Sequence, residues 1–337
     1  MSEKKYLGLL AGTCGVLVVL CIIASAGKKS LSGKTIDTVL LNEKYISLLA
    51  CVEVTQQDKS IVFHKKELSG KILWIGTVHG GTDFDTGSSS PLVFPVDSTL
   101  MQEFLAIMMQ VRSLSLVSQK QDQETLSSFG LAGGDGLSQG GYSFRFLLQD
   151  GTVASQVIFG DTNYSGYRIY LKTPESPIYL AEDDFYPWLS LSAKSWAEMD
   201  LISQQLLGIA GTKDIQGLEI KVFDQGGASL HKNIMPTNTD FSSKVSRLLS
   251  LRGGSLIEPA VVLGKKLLGE ITLDAGDGSR AALQVYEGKL SQLDQEVSSY
   301  YLIPQIYSRG GNEISGLNYG FEISPWTWEA LLTLTED

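Results

Sequence analysis

The run Phe84-Asp85-Thr86-Gly87-Ser88-Ser89 contains the side chain with the clearest catalytic potential in this chain. Aspartic proteases use two carboxylates that share a proton, and each carboxylate sits on a tight turn after a buried strand. Here only Phe84 is apolar among the five residues before Asp85. The nearest second candidate, in "VFDQGGAS", has Gln225 in place of the required hydroxyl residue. We therefore interpret residues 80–90 as a surface connection, because glycine, serine and aspartate favour turns.

The other residue types that could do chemistry are few and scattered. The three histidines are His64, His79 and His231, whereas a metal site needs several ligands that converge. Two of the three cysteines lie within an N-terminal apolar run, which leaves Cys51 alone, so the sequence offers neither a disulfide framework nor a multi-cysteine zinc site. No Gly-x-x-x-x-Gly-Lys-Ser/Thr loop is present. We predict no catalytic residue, no cofactor and no metal.

The composition is that of a globular, acidic protein. The 337 residues are 43% apolar and 19% charged, which supplies a packed core for one large or two ordinary domains. The formal net charge is −10. Because this charge would repel a nucleic-acid duplex or a polyphosphate, we exclude nucleic acid as a partner.

An uncharged apolar run occupies Tyr6 to Gly27. As a helix it would be about 33 Å long, enough to cross a bilayer. We therefore expect residues 1–27 to be a transmembrane anchor or signal-anchor; the alternative is a signal peptide cleaved after Ala26. This anchor predicts a single-pass protein of the cytoplasmic (inner) membrane with residues 28–337 outside the cytoplasm. The anchor residues that we select are Leu7, Leu17, Val19 and Ile23.

Strand patterns dominate the rest of the chain, with two capped helices between them. Residues 51–66 predict a pair of strands, and Asp150-Gly151 and Asp277-Gly278 predict hairpin turns. Apolar residues recur at helical spacing from Met101 to Val111 and from Phe241 to Leu249. We predict an α+β fold in which the N-terminal transmembrane helix is followed by two related antiparallel-sheet-plus-helix units.

The second half of the chain repeats the order of the first. Met101 and Phe241 are 140 residues apart, as are Trp188 and Trp328, whereas the two Asp-Gly turns are 127 apart. Loops of different length in the two copies explain the difference, since surface connections tolerate insertions. The predicted divisions are a tether and entry segment at 28–50, a first α+β unit at 51–200 and a second, divergent α+β unit at 201–337.

Aromatic side chains are dense near the end of the second unit. Exposed together, they would form a face for a protein or glycan partner; the alternative is that they fill the core of a small sheet. The residues that we select as a possible partner face are Tyr300, Tyr307, Trp326 and Trp328.

The helix "VDSTLMQEFLAIMMQVRSL", the element "LSSFGL" and a strand meander containing Gly160-Asp161 resemble the bacterial domain of unknown function 4340 family. Residues from about 60 to 200 match best, and residues 201–332 would be a more divergent copy. The resemblance implies a membrane-tethered, non-enzymatic auxiliary protein of an ABC-type transport or gliding-motility system. It implies an ABC-type permease or ATPase, or other envelope proteins, as partners. It transfers no catalytic or binding residue to this chain.

Three hypotheses about function follow. The first is a membrane-anchored extracytoplasmic accessory or scaffolding subunit of an ABC-type transport or cell-envelope system. The second is a ligand-binding receptor with a pocket between the two units, because interdomain clefts often hold ligands. The third is an envelope hydrolase of the aspartic-protease type that uses Asp85.

Overall fold

The computed structural model of the protein describes most of the chain after its first 34 residues. The described residues are 35–68, 70–79, 91–132, 141–182, 184–224, 227–290 and 297–336. They form two antiparallel sheets, one of ten strands and one of seven.

The predicted α+β class with an N-terminal transmembrane helix is wrong. The described residues are mainly antiparallel strands with short helices between them, and no helix among them is long and apolar enough to cross a membrane. The predicted single-pass localisation in the inner membrane is corrected on the same finding. The segment at 1–27 lies outside the described residues, and so do the selected anchor residues Leu7, Leu17, Val19 and Ile23.

The first sheet is built from ten strands in the first half of the chain. They are β1 (Thr35–Thr38), β2 (Leu49–Gln56), β3 (Lys59–Leu68), β4 (Lys71–His79), β5 (Val93–Pro95), β6 (Arg112–Ser118), β7 (Tyr142–Leu148), β8 (Val153–Thr162), β9 (Arg168–Lys172) and β10 (Ile178–Glu182). Their order across the sheet is β1-β6-β10-β9-β8-β7-β2-β3-β4-β5. β1 lies within residues 28–50, which the sequence predicts to be a tether and entry segment.

The second sheet is built from seven strands in the second half. They are β11 (Ile215–Asp224), β12 (Gly227–Ile234), β13 (Ser255–Ile257), β14 (Leu267–Ala275), β15 (Arg280–Leu290), β16 (Val297–Tyr307) and β17 (Gly320–Ile323). Their order is β12-β11-β14-β15-β16-β17-β13.

The helices are short and lie between strands along the chain. The α-helices are α1 (Ser98–Met109), α2 (Gln123–Ser128), α3 (Gln204–Leu207), α4 (Phe241–Leu249) and α5 (Pro325–Leu332). Single 3₁₀ turns cover Glu43–Tyr45, Tyr186–Trp188, Ala193–Ser195, Thr212–Asp214, Pro259–Val262 and Thr333–Thr335. Asp97 is the N-cap of α1, and its carboxylate accepts hydrogen bonds from the backbone N–H groups of Thr99 and Leu100. The N-cap residue of α4, Asp240, makes no such bond and pairs with Lys244 instead.

Seven strands follow the same order in both sheets. β6-β10-β9-β8-β7-β2-β3 in the first sheet corresponds to β13-β17-β16-β15-β14-β11-β12 in the second, and every pair is antiparallel. In both halves a hairpin precedes a helix, and the helix leads to the strand at the far side of the sheet. The first sheet has three further strands: β1 lies outside β6, and β4 and β5 lie outside β3.

The pairing registers of the two sheets also correspond. Val54 pairs with Phe144 between β2 and β7, and Ile220 pairs with Ile271 between β11 and β14. All four side chains are buried. Phe144 and Ile271 are 127 residues apart, the same separation as the two Asp-Gly turns. Equivalent residues of the two sheets therefore face the core.

One continuous hydrophobic cluster joins the two halves. Residues 193–209, which we call the connector, run between the sheets and contact both. The backbone N–H of Asp97 donates to Trp196 O at 2.9 Å, and Leu201 donates to Leu251 O at 3.0 Å. The Trp196 ring is 1% exposed and lies 4.8 Å from the ring of Phe63. Because the connector pairs with backbone of both halves, the sheets share one core.

The Phe-Gly-Leu element packs against the Gly160-Asp161 pair. The backbone N–H of Asp161 donates to Phe129 O at 2.9 Å, and Gly130 adopts φ +67° to make the turn between them. A Cβ atom on Gly160 would lie 2.1 Å from Phe129 O and 2.9 Å from Leu131 Cγ. These two sequence motifs are therefore one packing unit, which closes a small second cluster over the outer side of the first sheet.

Gly160→Ala should lower the free energy of unfolding by about 1–3 kcal/mol, because the added methyl group overlaps a backbone carbonyl that is held in place. Gly217→Ala is the matched control. Gly217 is also a strand glycine, but its Cβ would meet Asp274 Oδ2 at an ordinary 3.5 Å. Urea unfolding curves measure both values. Equal stability of the two variants would contradict the close contact at Gly160.

Candidate functional site

Polar side chains on neighbouring strands cover the side of the second sheet that faces away from the core. They alternate with core residues along each strand, as strand geometry requires. We call this surface the polar face. Its members are Glu219, Lys221, His231, Asn233, Glu270, Thr272, Asp274, Arg280, Gln284, Gln305 and Tyr307.

Ion pairs run across the polar face from β12 to β14. His231 Nε2 lies 2.6 Å from Glu219 Oε1, Lys221 Nζ lies 3.1 Å from Glu219 Oε2, and Lys221 Nζ lies 3.6 Å from Glu270 Oε1. Partial burial raises the pKa of Glu219, but hydrogen bonds from Lys221 and His231 outweigh it and leave this pKa below its usual value. Donating this hydrogen bond to Glu219 raises the pKa of Lys221. Such partly exposed pairs contribute little stability, so their main effect is to fix where the charges lie.

An open cavity of about 720 Å³ continues the polar face over β14, β15 and β16. Arg280 Nε lies 2.6 Å from Asp274 Oδ1, and this bond raises the pKa of the guanidinium. Arg309 Nε donates to the backbone carbonyl of Asp277 at 2.9 Å. Tyr307 donates its hydroxyl to Gln305 Oε1 at 3.1 Å. The cavity therefore presents charges and amides that neighbouring groups already orient, which suits the binding of a polar surface.

A smaller cavity of about 230 Å³ lies near β13 and β16. Pro259 and Tyr319 are among its lining residues, and burial raises the pKa of the Tyr319 hydroxyl. The lining residues of the large cavity lie within 270–311 and those of the smaller cavity within 259–319, so both cavities belong to the second half. Neither is the pocket between the two units that the receptor hypothesis requires.

Glu198, in the connector, is a buried carboxyl group with a shifted pKa. Its side chain is 7% exposed, and Ser203 Oγ donates to its Oε2 at 2.6 Å. Burial is the main cause that raises the pKa of Glu198 to about 7. The hydrogen bond from Ser203 acts to lower this pKa, and the nearby carboxylates of Asp200 and Asp97 act to raise it. Such a pKa suits a general acid or base. Glu198 lines neither of the two cavities, however, so we interpret it as part of the packing between the sheets.

The four aromatic residues selected as a partner face lie in different environments. Trp326 is 69% exposed at the start of α5, whereas Trp328 is 8% exposed and belongs to the core. The rings of Tyr300 and Trp328 lie 5.9 Å apart against that core. Tyr307 lies on the polar face and lines the large cavity. The structure therefore brings Tyr300 and Trp328 together and leaves the other two apart.

The residues considered for catalysis and metal binding fall in three groups. Asp85 lies outside the described residues, so the hydrolase hypothesis stays a prediction. His64, His79 and His231 lie on β3, β4 and β12, and the described part of the chain contains no group of three or more histidine, cysteine, aspartate or glutamate residues placed to hold a metal. Burial raises the pKa of Cys51 to about 11, which keeps it a thiol rather than a nucleophilic thiolate.

A Gly-x-Ser-x-Gly sequence at 136–140 has the spacing of a nucleophile elbow. It lies outside the described residues. The elements on either side of it are α2 and β7, whereas a nucleophile elbow joins a strand to a following helix. This order of elements argues against a catalytic role for Ser138.

No protein-family model, no curated protein and no solved structure matches this chain. The resemblance to the domain of unknown function 4340 family is therefore untested and stays a prediction.

Part of the site has a signal in the sequence. The strands "LEIKVF" and "GEITLD" alternate apolar and polar residues, which predicts one polar face for each strand. Their alignment into a single face depends on long-range pairing, which the sequence does not show. Glu198, in "SWAEMD", has no distinguishing pattern, because its burial depends on contacts between the two sheets.

The stability of the protein should depend on pH through Glu198. A pKa raised from 4.5 to about 7 means that the folded state retains a proton that the unfolded state releases. The retained proton stabilises the folded state by on the order of 3 kcal/mol. This stabilisation is fully present below pH 4.5 and is lost as the pH rises through 7. Glu198→Gln should lose this dependence and therefore be the more stable form at pH 8. Thermal unfolding of both proteins from pH 5 to 8 measures it, and parallel curves would contradict it.

Proposed function

We propose that this protein is a non-catalytic binding or scaffolding subunit that holds a partner protein on the polar face of its second sheet. The observation that carries the proposal is the continuity of that face. Fixed ion pairs lead from β12 across β11 to β14, and the open cavity begins where they end.

The charges on the polar face favour recognition over proton transfer. Catalytic acids and bases are usually groups whose pKa burial or like charges shift toward neutrality. Here Lys221 lies between Glu219 and Glu270, and Arg280 bonds Asp274, so opposite charges stabilise the ionised forms of Glu219, Lys221 and Arg280. Complementary charge patterns on a partner would select it and accelerate its association.

The class of partner rests on the sequence resemblance alone. That resemblance implies an ABC-type permease or ATPase, and no contact described here depends on it. The proposal is therefore a partner-binding subunit, with an ABC-type transport system as the first assembly to search.

Lys221→Glu should weaken partner binding by at least about tenfold, because it places three carboxylates in a row on the polar face. Arg145→Glu is the matched control: Arg145 is a partly exposed strand cation that pairs with Glu53 at 2.6 Å on the first sheet. The tagged protein and both variants are isolated from native cells, and co-purified proteins are quantified by mass spectrometry. Native mass spectrometry then gives the stoichiometry of the complex.

The expected result is a partner at fixed stoichiometry with the original protein and with Arg145→Glu, but depleted from Lys221→Glu. A protein that carries no stoichiometric partner, or one that keeps its partner after Lys221→Glu, would overturn the proposal. So would a peptidase activity that Asp85→Ala abolishes.

A further inference from the structure

The four edges of the two sheets differ in length. β1 has four residues, β5 has three and ends at Pro95, and β13 has three. β12, the remaining edge, has eight residues. Proteins commonly shorten the edges of sheets or place proline there, because an exposed edge presents unpaired peptide groups to other chains. β12 is the exception among the edges described here.

The first sheet contains the counterpart of β12, and there the same edge is occupied. β12 corresponds to β3 in the shared strand order, and β4 pairs antiparallel with β3 from Ser60↔His79 to Leu68↔Lys71. In the second sheet β12 pairs with β11, and within the described stretches no strand lies on its other side. The duplicated arrangement therefore leaves open in one copy the position that β4 fills in the other.

We propose that β12 accepts an extended segment of a partner protein as an additional antiparallel strand, in the position that β4 occupies beside β3. This inference rests on the proposed binding function and specifies the form of the partner. Main-chain hydrogen bonds to the edge would supply affinity, and alternate side chains of the segment would supply specificity.

The residues of β12 define the chemistry of the segment. On the core side, Leu230 pairs with Val222 and is 38% exposed, Lys232 pairs with Ile220, and Ile234 pairs with Leu218 and is buried. On the other side, His231 belongs to the polar face. A strand added here would cover Leu230 with one set of alternate residues and meet His231 with the other. The segment therefore places an apolar residue against Leu230 and a polar residue against His231, and it is free of proline at its centre.

The strand β4 fills the equivalent edge of the first sheet and gives an example of such a segment. β4 places Val78 beside Ile61 on the core side and Thr77 beside Val62 on the outer side. An apolar residue thus covers the core side and a polar residue the outer side at this pair of positions, whereas Ile72, Leu73, Trp74 and Ile75 make the first half of β4 apolar on both sides.

A second copy of β12 fits this edge less well. Antiparallel pairing of two identical strands would bring His231 and Lys232 close to the same residues of the other copy, and opposed like charges destabilise a sheet. Lys232 Nζ donates to the backbone carbonyl of Thr335 at 2.7 Å. A lysine on an edge strand also discourages indiscriminate pairing. The edge is therefore suited to a selected partner.

The test uses a labelled synthetic peptide with the sequence of residues 71–79, extended by glutamates for solubility. The β3 edge is already filled by β4, so the added peptide can pair only at another edge. Fluorescence anisotropy should show saturable binding to the full chain. Leu230→Lys should weaken that binding at least about tenfold. Leu48→Lys, at a leucine of the first half that is 49% exposed, should leave it unchanged. A peptide with proline in place of Gly76 should not bind.

Three results would overturn the inference: no saturable binding of the peptide, equal binding to Leu230→Lys, or a concentration-dependent dimer of the original protein that Leu230→Lys dissociates. The last result would assign the edge to a second copy. Failure here and failure of the proposed function are distinguishable. A native partner lost with Lys221→Glu but retained with Leu230→Lys would keep the polar face as the docking surface and exclude strand addition.

Discussion

Each peptide group of a β-strand needs a hydrogen-bond partner, and at the edge of a sheet one row of these groups has none within the sheet. How each edge is completed determines the form of this protein. The first sheet places β1 outside β6 and adds β4 and β5 outside β3, so its edges end in strands of four and three residues. The second sheet has the same seven-strand order without these additions, and β12 is left as a long edge in the described structure. The polar face begins at this edge, so backbone and side-chain recognition can act on one partner together.

The connector makes the two sheets one structure rather than two linked domains. Its backbone bonds to both halves, and Trp196 and Glu198 are buried where the halves meet. Burying a carboxyl costs free energy unless it keeps its proton or gains hydrogen bonds, and Glu198 does both. The polar face therefore lies on a sheet that is packed into the shared core, and a preorganised surface loses less entropy when a partner binds.

Local features of the fold could be predicted from the sequence. The hairpins around Asp150-Gly151 and Asp277-Gly278 are confirmed, because β7 pairs with β8 and β14 with β15. The helix over Phe241–Leu249 is confirmed with the predicted apolar face buried.

The predicted fold class was wrong because the strong helical patterns belong to short helices. The longest described helix has 12 residues, and the sheets dominate. The edges and the polar face could not be predicted, because both depend on which distant strands pair, as β1 does with β6. The four aromatic residues selected as a partner face do not form one surface for a related reason. Packing, rather than the local sequence pattern, fixes the position of Trp328 in the core.

Hydrogen–deuterium exchange of the isolated protein, resolved by mass spectrometry, tests most directly whether β12 is an open edge. Amides of β3 bond β2 on one side and lie against β4 on the other, so all of β3 should exchange slowly. β12 bonds on one side to β11, so about half of its amides should exchange slowly and the rest rapidly. Slow exchange along the whole of β12 would contradict the account, because it would mean that another strand already covers this edge.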